Sequence, residues 1–256
     1  HSLLATRVVS EIAGSLGKKV PVRAMFEHST LCSLAAHLDT LAHSGHTRIP
    51  QAQRDRPLPL SFAQQRLWFI DHLHGGSRQY HLPAALRLTG RLDRSAMQHA
   101  MDDLVARHEV LRTHYLQIDG EIAQVIAAAG QVQIMDEDLR SLATDARDAR
   151  LRERIAEDAE RPFDLAHDPV LRVSLIALAD DEHALLFTMH HIASDGWSMD
   201  VLVREFQALY TAHAQGRSPN LAPLAVQYAD YAVWQRERLQ GIGLSAQLDY
   251  WREQLA

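Results

Sequence analysis

Two adjacent histidines, His190 and His191, stand at the end of an apolar segment that covers residues 184–189. An acid and a glycine, Asp195 and Gly196, follow shortly after, and an amphipathic segment begins directly behind them. Histidine is the side chain that titrates nearest to neutrality, so a positioned imidazole can take up and release a proton under ordinary conditions. The pattern therefore indicates a proton-transfer site at the end of a strand.

Strand geometry separates the two histidines. Consecutive strand residues point to opposite faces, so His190 and His191 cannot both face one cavity. This weakens a metal site, for which no third ligand stands at a recognisable spacing. We expect His190 to be a buried structural residue and His191 to face a cleft. Asp195 could orient an imidazole or pair with an arginine, and Gly196 could permit a backbone geometry that a side chain would block.

The composition is ordinary for a globular protein of one or two domains: 256 residues, 46% hydrophobic and 23% charged. The net charge of -6 argues against a nucleic-acid partner, because no basic stripe is available to neutralise phosphates. The single cysteine, Cys32, excludes an internal disulfide and fits a reducing compartment, so we expect a cytoplasmic protein. No apolar run approaches the length that spans a bilayer, so no membrane contact is expected.

The first part of the chain has the pattern of a small helical bundle. Residues 3–16 carry apolar residues at helical spacing, with Gly17 closing the helix, and Thr30 can cap a second one. These short helices are too few for a stable core, so residues 1–46 are expected to be the end of a truncated bundle. Residues 47–59 follow as a linker that holds three prolines and four charges.

From residue 60 onwards, helical and strand patterns alternate. Residues 61–73 predict a helix with Phe62, Phe69, Ile70 and Leu73 inward. The dipeptide Asp119-Gly120 predicts a hairpin turn between two strands. Further elements follow: a helix at 145–160, strands at 170–178 and 184–189, a helix at 198–213, and helical segments after 224. The predicted fold class is α+β, with a mixed sheet covered by helices.

Four segments, taken in order, resemble the first four signature motifs of condensation domains from nonribosomal peptide synthetases. They cover residues 61–68, 107–113, 190–196 and 228–235. Such domains join an upstream carrier-bound acyl group to the amine of a downstream carrier-bound amino acid. The resemblance implies two lobes, each like chloramphenicol acetyltransferase, and places residues 60–256 in the N-terminal lobe, with the chain ending near the junction to the second lobe.

The start of the chain resembles a peptidyl carrier protein, at the segment where a serine receives 4'-phosphopantetheine. By this resemblance Ser2 is the attachment site, and residues 1–46 are the C-terminal helices of the carrier. A phosphodiester at a helix start would meet free amide hydrogens and the positive end of the helix dipole. A plain N-cap role for Ser2 is the alternative.

The resemblance also implies a role for each site residue. His191 is the catalytic histidine, which either deprotonates the attacking amine or positions it by a hydrogen bond. Asp195 is structural and ion-paired to an arginine, for which Arg66 is the candidate in this chain and a residue of the second lobe is an equal alternative. Gly196 offers its backbone N–H near the thioester carbonyl, and His190 is structural. No metal is implied, and the implied partners are the two carriers and the adenylation domain of the same assembly line.

Three alternatives to a condensation domain remain open: an epimerisation domain, a coenzyme A-dependent acyltransferase and a non-catalytic binding module. Carriers before epimerisation domains usually bear aspartate in front of the serine, whereas His1 stands there in this chain. A stand-alone acyltransferase would lack a fused carrier segment. No histidine-rich motif of a dual epimerising domain is present near residues 61–75, which implies an L-configured donor.

Overall fold

The computed structural model describes residues 2–42, 49–76 and 78–255. The chain forms two compact units, His1–Ile49 and Pro50–Ala256. Within the described ranges, none of the helices has the length and apolar character needed to traverse a bilayer.

The first unit is helical, as predicted. Its helices are α1 (Ser2–Leu16), α2 (Ala24–Glu27) and α3 (Leu31–Thr40). Gly17 ends α1 with a positive φ of 62°, and the hydroxyl of Thr30 caps α3 by accepting a hydrogen bond from the amide of Ser33 at 3.2 Å. The core of the unit consists of Val20, Ala24, Leu34 and Leu38.

The second unit contains two sheets and the helices that cover them. Its strands are β1 (Leu58–Pro59), β2 (His81–Thr89), β3 (Thr113–Ile118), β4 (Glu121–Ile126), β5 (Ile134–Asp138), β6 (Leu171–Ala179) and β7 (Glu182–His190). Its helices are α4 (Phe62–His74), α5 (Arg94–Arg107), α6 (Thr144–Glu160), α7 (Gly196–Ala214), α8 (Tyr228–Arg238) and α9 (Gly241–Gln254).

The larger sheet has the order β2-β7-β6-β5, and the smaller one has the order β1-β4-β3. Strand β5 pairs in parallel with β6, whereas the other pairs are antiparallel, so the predicted mixed sheet is confirmed. Helices α5 and α7 cover one face of the larger sheet through a core that includes Met101, Phe187 and Phe206. Helix α6 packs on the other face through Leu151 and Ile155.

The predicted hairpin is also confirmed. Strands β3 and β4 pair from Thr113↔Ile126 to Ile118↔Glu121, which leaves Asp119 and Gly120 as a two-residue turn. Both turn residues have positive φ, 52° and 85°, as a type I′ turn requires.

The predicted orientation of α4 is wrong. Phe62, Phe69 and Leu73 are exposed, whereas Gln64 and Leu67 are buried. The polar contacts of Gln64 explain the difference, since its side chain accepts from the amide of Ser61 at 3.0 Å and donates to the hydroxyl of buried Tyr115 at 3.1 Å. The hydrogen-bonding requirement of these buried groups therefore decides which face of the helix is inward.

Candidate active site

Strand β7 carries the histidine pair to the end of the larger sheet. His190 is its last residue, and its amide donates to the carbonyl of Val170 at 3.0 Å. The amide of His191 donates to the carbonyl of Tyr80 at 2.7 Å. The chain then turns, and α7 begins at Gly196. The backbone around both histidines is thus fixed by the neighbouring strand ends.

His190 is fully buried. Its Nδ1 accepts a hydrogen bond from the amide of Ile192 at 3.1 Å, so in a neutral ring the proton is on Nε2. That Nε2 lies 3.6 Å from Oδ1 of Asp71, and the ring contacts Phe163 edge to face. The expected burial of His190 is confirmed, and its contacts are with the turn and the core.

His191 is half-buried, at the position where the strand pattern predicts a histidine facing a cleft. Its Nδ1 lies 2.6 Å from the carbonyl oxygen of Ser194. A carbonyl oxygen only accepts, so Nδ1 carries the hydrogen and Nε2 keeps its lone pair. The turn thus selects the tautomer in which Nε2 can accept a proton or a hydrogen bond.

Asp195 is the N-cap of α7. Its Oδ1 accepts from the amide of Ser198 at 2.8 Å and from the Ser198 hydroxyl at 2.6 Å. Partial burial raises the pKa of Asp195, but the hydrogen bonds from Ser198 outweigh burial and leave the pKa below its usual value. The described residues place no arginine, Arg66 included, within ion-pair distance of Asp195, and a partner in the second lobe stays a prediction. The carboxylate of Asp195 instead caps the N-terminus of α7.

Gly196 is the first residue of α7. Its φ is not positive, and a Cβ added there would meet nothing within 4 Å. The prediction that a side chain would block this backbone geometry is therefore wrong. Because the first amides of a helix have no acceptor one turn earlier, the N–H of Gly196 is available to an outside acceptor.

A small pocket of about 150 Å³ lies beside the turn and brings the second and third motifs together. Trp197 and Ser198 line one side, and His108 lines another. Nε2 of His108 lies 2.6 Å from Oε2 of Glu205, which also accepts from Nε of Arg107 at 3.1 Å. Partial burial raises the pKa of Glu205, but the bonds from His108 and Arg107 outweigh it and lower the pKa.

Sequence reasoning missed His108, Trp197 and Glu205 as residues of this region. One signal was present for Glu205, a charged residue at helical spacing from the buried apolar positions Leu202 and Leu209 of α7. A charge on an apolar helix face requires a buried partner, and that partner is the Arg107–His108 pair.

The first and fourth motifs also meet. The hydroxyls of Ser61 and Tyr228 are 3.0 Å apart, and the amide of Phe62 donates to Oε1 of Gln235 at 3.0 Å. The four segments that carry the resemblance therefore form two contacting pairs, one at α4 and α8 and the other beside α7.

Two further predictions concern groups that the chain could hold, a metal ion and 4'-phosphopantetheine. Among the residues described, no cluster of histidine, cysteine, aspartate or glutamate could hold a metal ion. Ser2 is the first residue of α1, and its side chain lies outside the described residues. A hydroxyl residue at the start of a helix of 15 residues fits the attachment of a phosphate-bearing group.

Comparison with known families decides the identity of the chain. Residues 55–256 match the family model described as "Condensation domain". The chain belongs to this family. Residues 1–38, ahead of the condensation domain, match "Phosphopantetheine attachment site", so the predicted carrier segment and its 4'-phosphopantetheine are confirmed.

The relatives are large synthetases. The chain is 42% identical over 259 residues to malpinin synthetase of Mortierella alpina, covering 100% of the chain and 3% of that protein. It is 42% identical over 261 residues to the dimodular nonribosomal peptide synthase of Bacillus subtilis (strain 168), covering 100% of the chain and 11% of that protein. The chain therefore spans a small part of the length of these relatives.

Solved structures confirm the α+β, chloramphenicol-acetyltransferase-like fold. The X-domain from teicoplanin biosynthesis is 39% identical, with a TM-score of 0.71 over 82% of this chain and 45% of that one. The same domain in complex with OxyB is 38% identical, with a TM-score of 0.69 over 83% and 46%. The starter condensation domain of the rhizomide synthetase RzmA, at 18% identity, shares the fold with a TM-score of 0.70 over 78% and 48%.

Proposed function

We propose that this condensation domain takes part in forming an amide bond between an acyl thioester on an upstream carrier and the amine of an amino acid on a downstream carrier. The observation that carries the proposal is the bond from Nδ1 of His191 to the carbonyl of Ser194, which leaves Nε2 able to accept a proton. In the reaction the amine nitrogen bonds to the thioester carbon, the carbon–sulfur bond breaks with the carrier thiol as the leaving group, and the proton lost by the amine passes to the departing sulfur.

The residues of the turn have different roles in this reaction. Nε2 of His191 accepts the proton of the attacking amine, or holds that amine by a hydrogen bond. Asp195 fixes the start of α7 and hence the amide of Gly196, which is oriented as a donor to the thioester oxygen. His190 holds the turn through the amide of Ile192.

The carrier segment supplies the thiol that holds the donor. We propose Ser2 as the residue that bears 4'-phosphopantetheine, supported by the match of residues 1–38 to the phosphopantetheine attachment site. We propose residues 1–46 as carrier, 47–59 as linker and 60–256 as condensation lobe, supported by the two compact units and by the matched ranges.

The proposal has three further parts: the configuration of the donor, the domain that loads the carriers and the location of the protein. The donor is L-configured, since no histidine-rich motif stands near residues 61–75. The adenylation domain of the same assembly line loads the carriers. The location is cytoplasmic, which the single cysteine, Cys32, supports.

The parent synthetase provides the test, incubated with a loaded donor carrier and a loaded acceptor carrier. Mass spectrometry of the acceptor carrier reports dipeptide formation, and exchange of the donor α-proton reports epimerisation. We expect the native protein to form a dipeptide without exchange of the α-proton, and His191→Ala to form none. His99→Ala, at an exposed position of α5, is the matched control and should form the dipeptide normally. Exchange without joining, or full dipeptide formation by His191→Ala, would contradict the proposal.

A binding module is the second candidate. The observation that favours it is the 38% identity to the teicoplanin X-domain that was solved in complex with OxyB. The same experiment separates the two candidates, because a binding module forms no dipeptide with either the native or the His191→Ala protein.

A further inference from the structure

A second cavity, of about 440 Å³, shares Leu111 with the small pocket beside the histidine turn and is lined mainly by residues of β3, β5, β6 and the segment between β4 and β5. This volume is in the range of sites for small organic ligands. Its charged and titratable lining is mainly basic and consists of Arg112, His114, Arg161, Arg172 and the single acid Asp168. Three guanidinium groups against one carboxylate give the cavity a net positive charge.

These arginines lack carboxylate partners. Within the described part of the chain, none of Arg112, Arg161 and Arg172 has a carboxylate within ion-pair distance. By contrast, the side chains of Arg107 and Arg154 are mostly buried, and each forms an ion pair with a glutamate. A buried positive charge such as that of Arg172 is costly unless it is compensated by hydrogen bonds or an opposite charge.

Arg172 is a fixed and buried positive charge. Its guanidinium donates to the carbonyl of Pro162 at 3.0 Å and lies 3.8 Å from the centroid of the Phe163 ring. The residue is 8% exposed, and its Nε has no hydrogen-bond acceptor among the described residues. Burial lowers the pKa of Arg172, while Asp158 and Asp168 act in the opposite direction. The guanidinium is therefore held by the carbonyl oxygens of Pro162, Arg161 and Asp158 and by the Phe163 ring, while the described residues place no carboxylate in ion-pair contact with it.

Arg112 and His114 also carry buried nitrogens for which the described residues offer no hydrogen-bond partner. Arg112 donates through Nη1 to the carbonyl of Ala127. In the part of the chain that the structure describes, however, the buried Nε of Arg112 has no acceptor, and the buried Nδ1 of His114 has no hydrogen-bond partner. Buried polar atoms without partners are rare in folded proteins. Three residues around this cavity carry such atoms, so its basic groups are not fully paired within the described part of the chain.

We propose that this cavity binds a small organic anion, a phosphate monoester or a carboxylate with an apolar body. Its oxygens accept hydrogen bonds from Arg112 and Arg161, and the fixed charge of Arg172 adds to the attraction. Its apolar body packs against Leu171 and Val173, which line the same cavity. This site shares no residue with the histidine turn, so the proposal is independent of the amide-forming activity.

Isothermal titration of the whole chain with phenyl phosphate and with benzoate tests the proposal, and the two probes distinguish phosphate from carboxylate. We expect saturable binding of at least one anion, weakened roughly tenfold or more in Arg112→Gln and in Arg161→Gln. Arg94→Gln is the control, because Arg94 pairs with Asp136 and does not line the cavity. Benzyl alcohol, which is neutral, should not bind.

Several results would overturn the proposal. These are the absence of saturable binding of both anions, equal binding by the native chain and both cavity variants, or equally tight binding of benzyl alcohol. If Arg112→Gln fails to fold, as judged by circular dichroism, the comparison uses Arg161→Gln alone, since Arg161 is exposed.

Discussion

At the scale of single residues, one backbone carbonyl selects the tautomer of the His191 ring. The carbonyl of Ser194 accepts from Nδ1 of His191 and so leaves Nε2 as the nitrogen that can accept a proton. The sequence predicted that His191 and not His190 would face a cleft, because strand residues alternate. It could not predict the tautomer, which depends on where the turn places the Ser194 oxygen.

Loss of the His191 imidazole should be severe if the ring acts as a general base. We expect His191→Ala to lower the rate of dipeptide formation by about 10²–10⁴-fold. Single-turnover transfer from a loaded donor carrier measures the rate, and thermal unfolding of the variant checks that it is folded. A decrease of less than about tenfold would favour the positioning role over the base.

Loss of the Asp195 carboxylate should cost stability through the helix cap. We expect Asp195→Ala to lower the free energy of unfolding by about 1 kcal/mol, because the amide of Ser198 loses its acceptor. Asp195→Asn keeps a capping oxygen and should lose less. Urea unfolding followed by tryptophan fluorescence measures both, and equal losses would contradict the capping role.

Glu205 should make stability depend on pH. Its pKa is lower in the folded state than the ordinary value of 4.5, so the unfolded state binds more protons in acid. The stabilisation is therefore complete above the ordinary pKa and is lost as the pH falls through the folded pKa. We expect Glu205→Gln to flatten the dependence of unfolding free energy on pH below about 5, as measured by urea titration.

Glu253→Gln is the control for that measurement, because Glu253 is exposed on α9. If Glu205→Gln and Glu253→Gln change the pH dependence equally, the lowered pKa of Glu205 is not its source.

At the scale of elements, the sequence predicted helix caps and turns correctly where one or two residues determine the local backbone conformation. Thr30 caps α3, and Asp119-Gly120 forms the hairpin turn, both as the sequence predicts. The orientation of α4 could not be predicted, because it depends on Tyr115, which is distant in sequence. Strand β5 was missed because residues 134–138 are short and rich in acids, and it forms only by pairing with β6.

The unexpected orientation of α4 leads to a prediction. We expect Gln64→Leu to lower the free energy of unfolding by about 1–3 kcal/mol, because the buried hydroxyl of Tyr115 and the amide of Ser61 lose a partner. Phe69→Gln, on the exposed face of the same helix, should change it little. Chemical denaturation measures both, and the reverse order of effects would contradict the described face of α4.

At the scale of the whole molecule, each unit has a buried core of its own. The first unit is held by Val20, Ala24, Leu34 and Leu38, and the second by the clusters on both faces of the larger sheet. We therefore expect residues 50–256 alone to keep the near-ultraviolet circular dichroism and cooperative thermal unfolding of the second unit. A loss of cooperativity on removing residues 1–49 would contradict this.

The order of the larger sheet also affects its behaviour towards other chains. Strands β2 and β5 are its two outer strands. The first contains Pro83, which has no amide hydrogen to offer, and the second carries three consecutive acids at residues 136–138. Prolines and charges on outer strands are devices that oppose aggregation through β-pairing. Both borders of the sheet that carries the histidine turn thus bear residues of the kind that disfavour pairing with the strands of other chains.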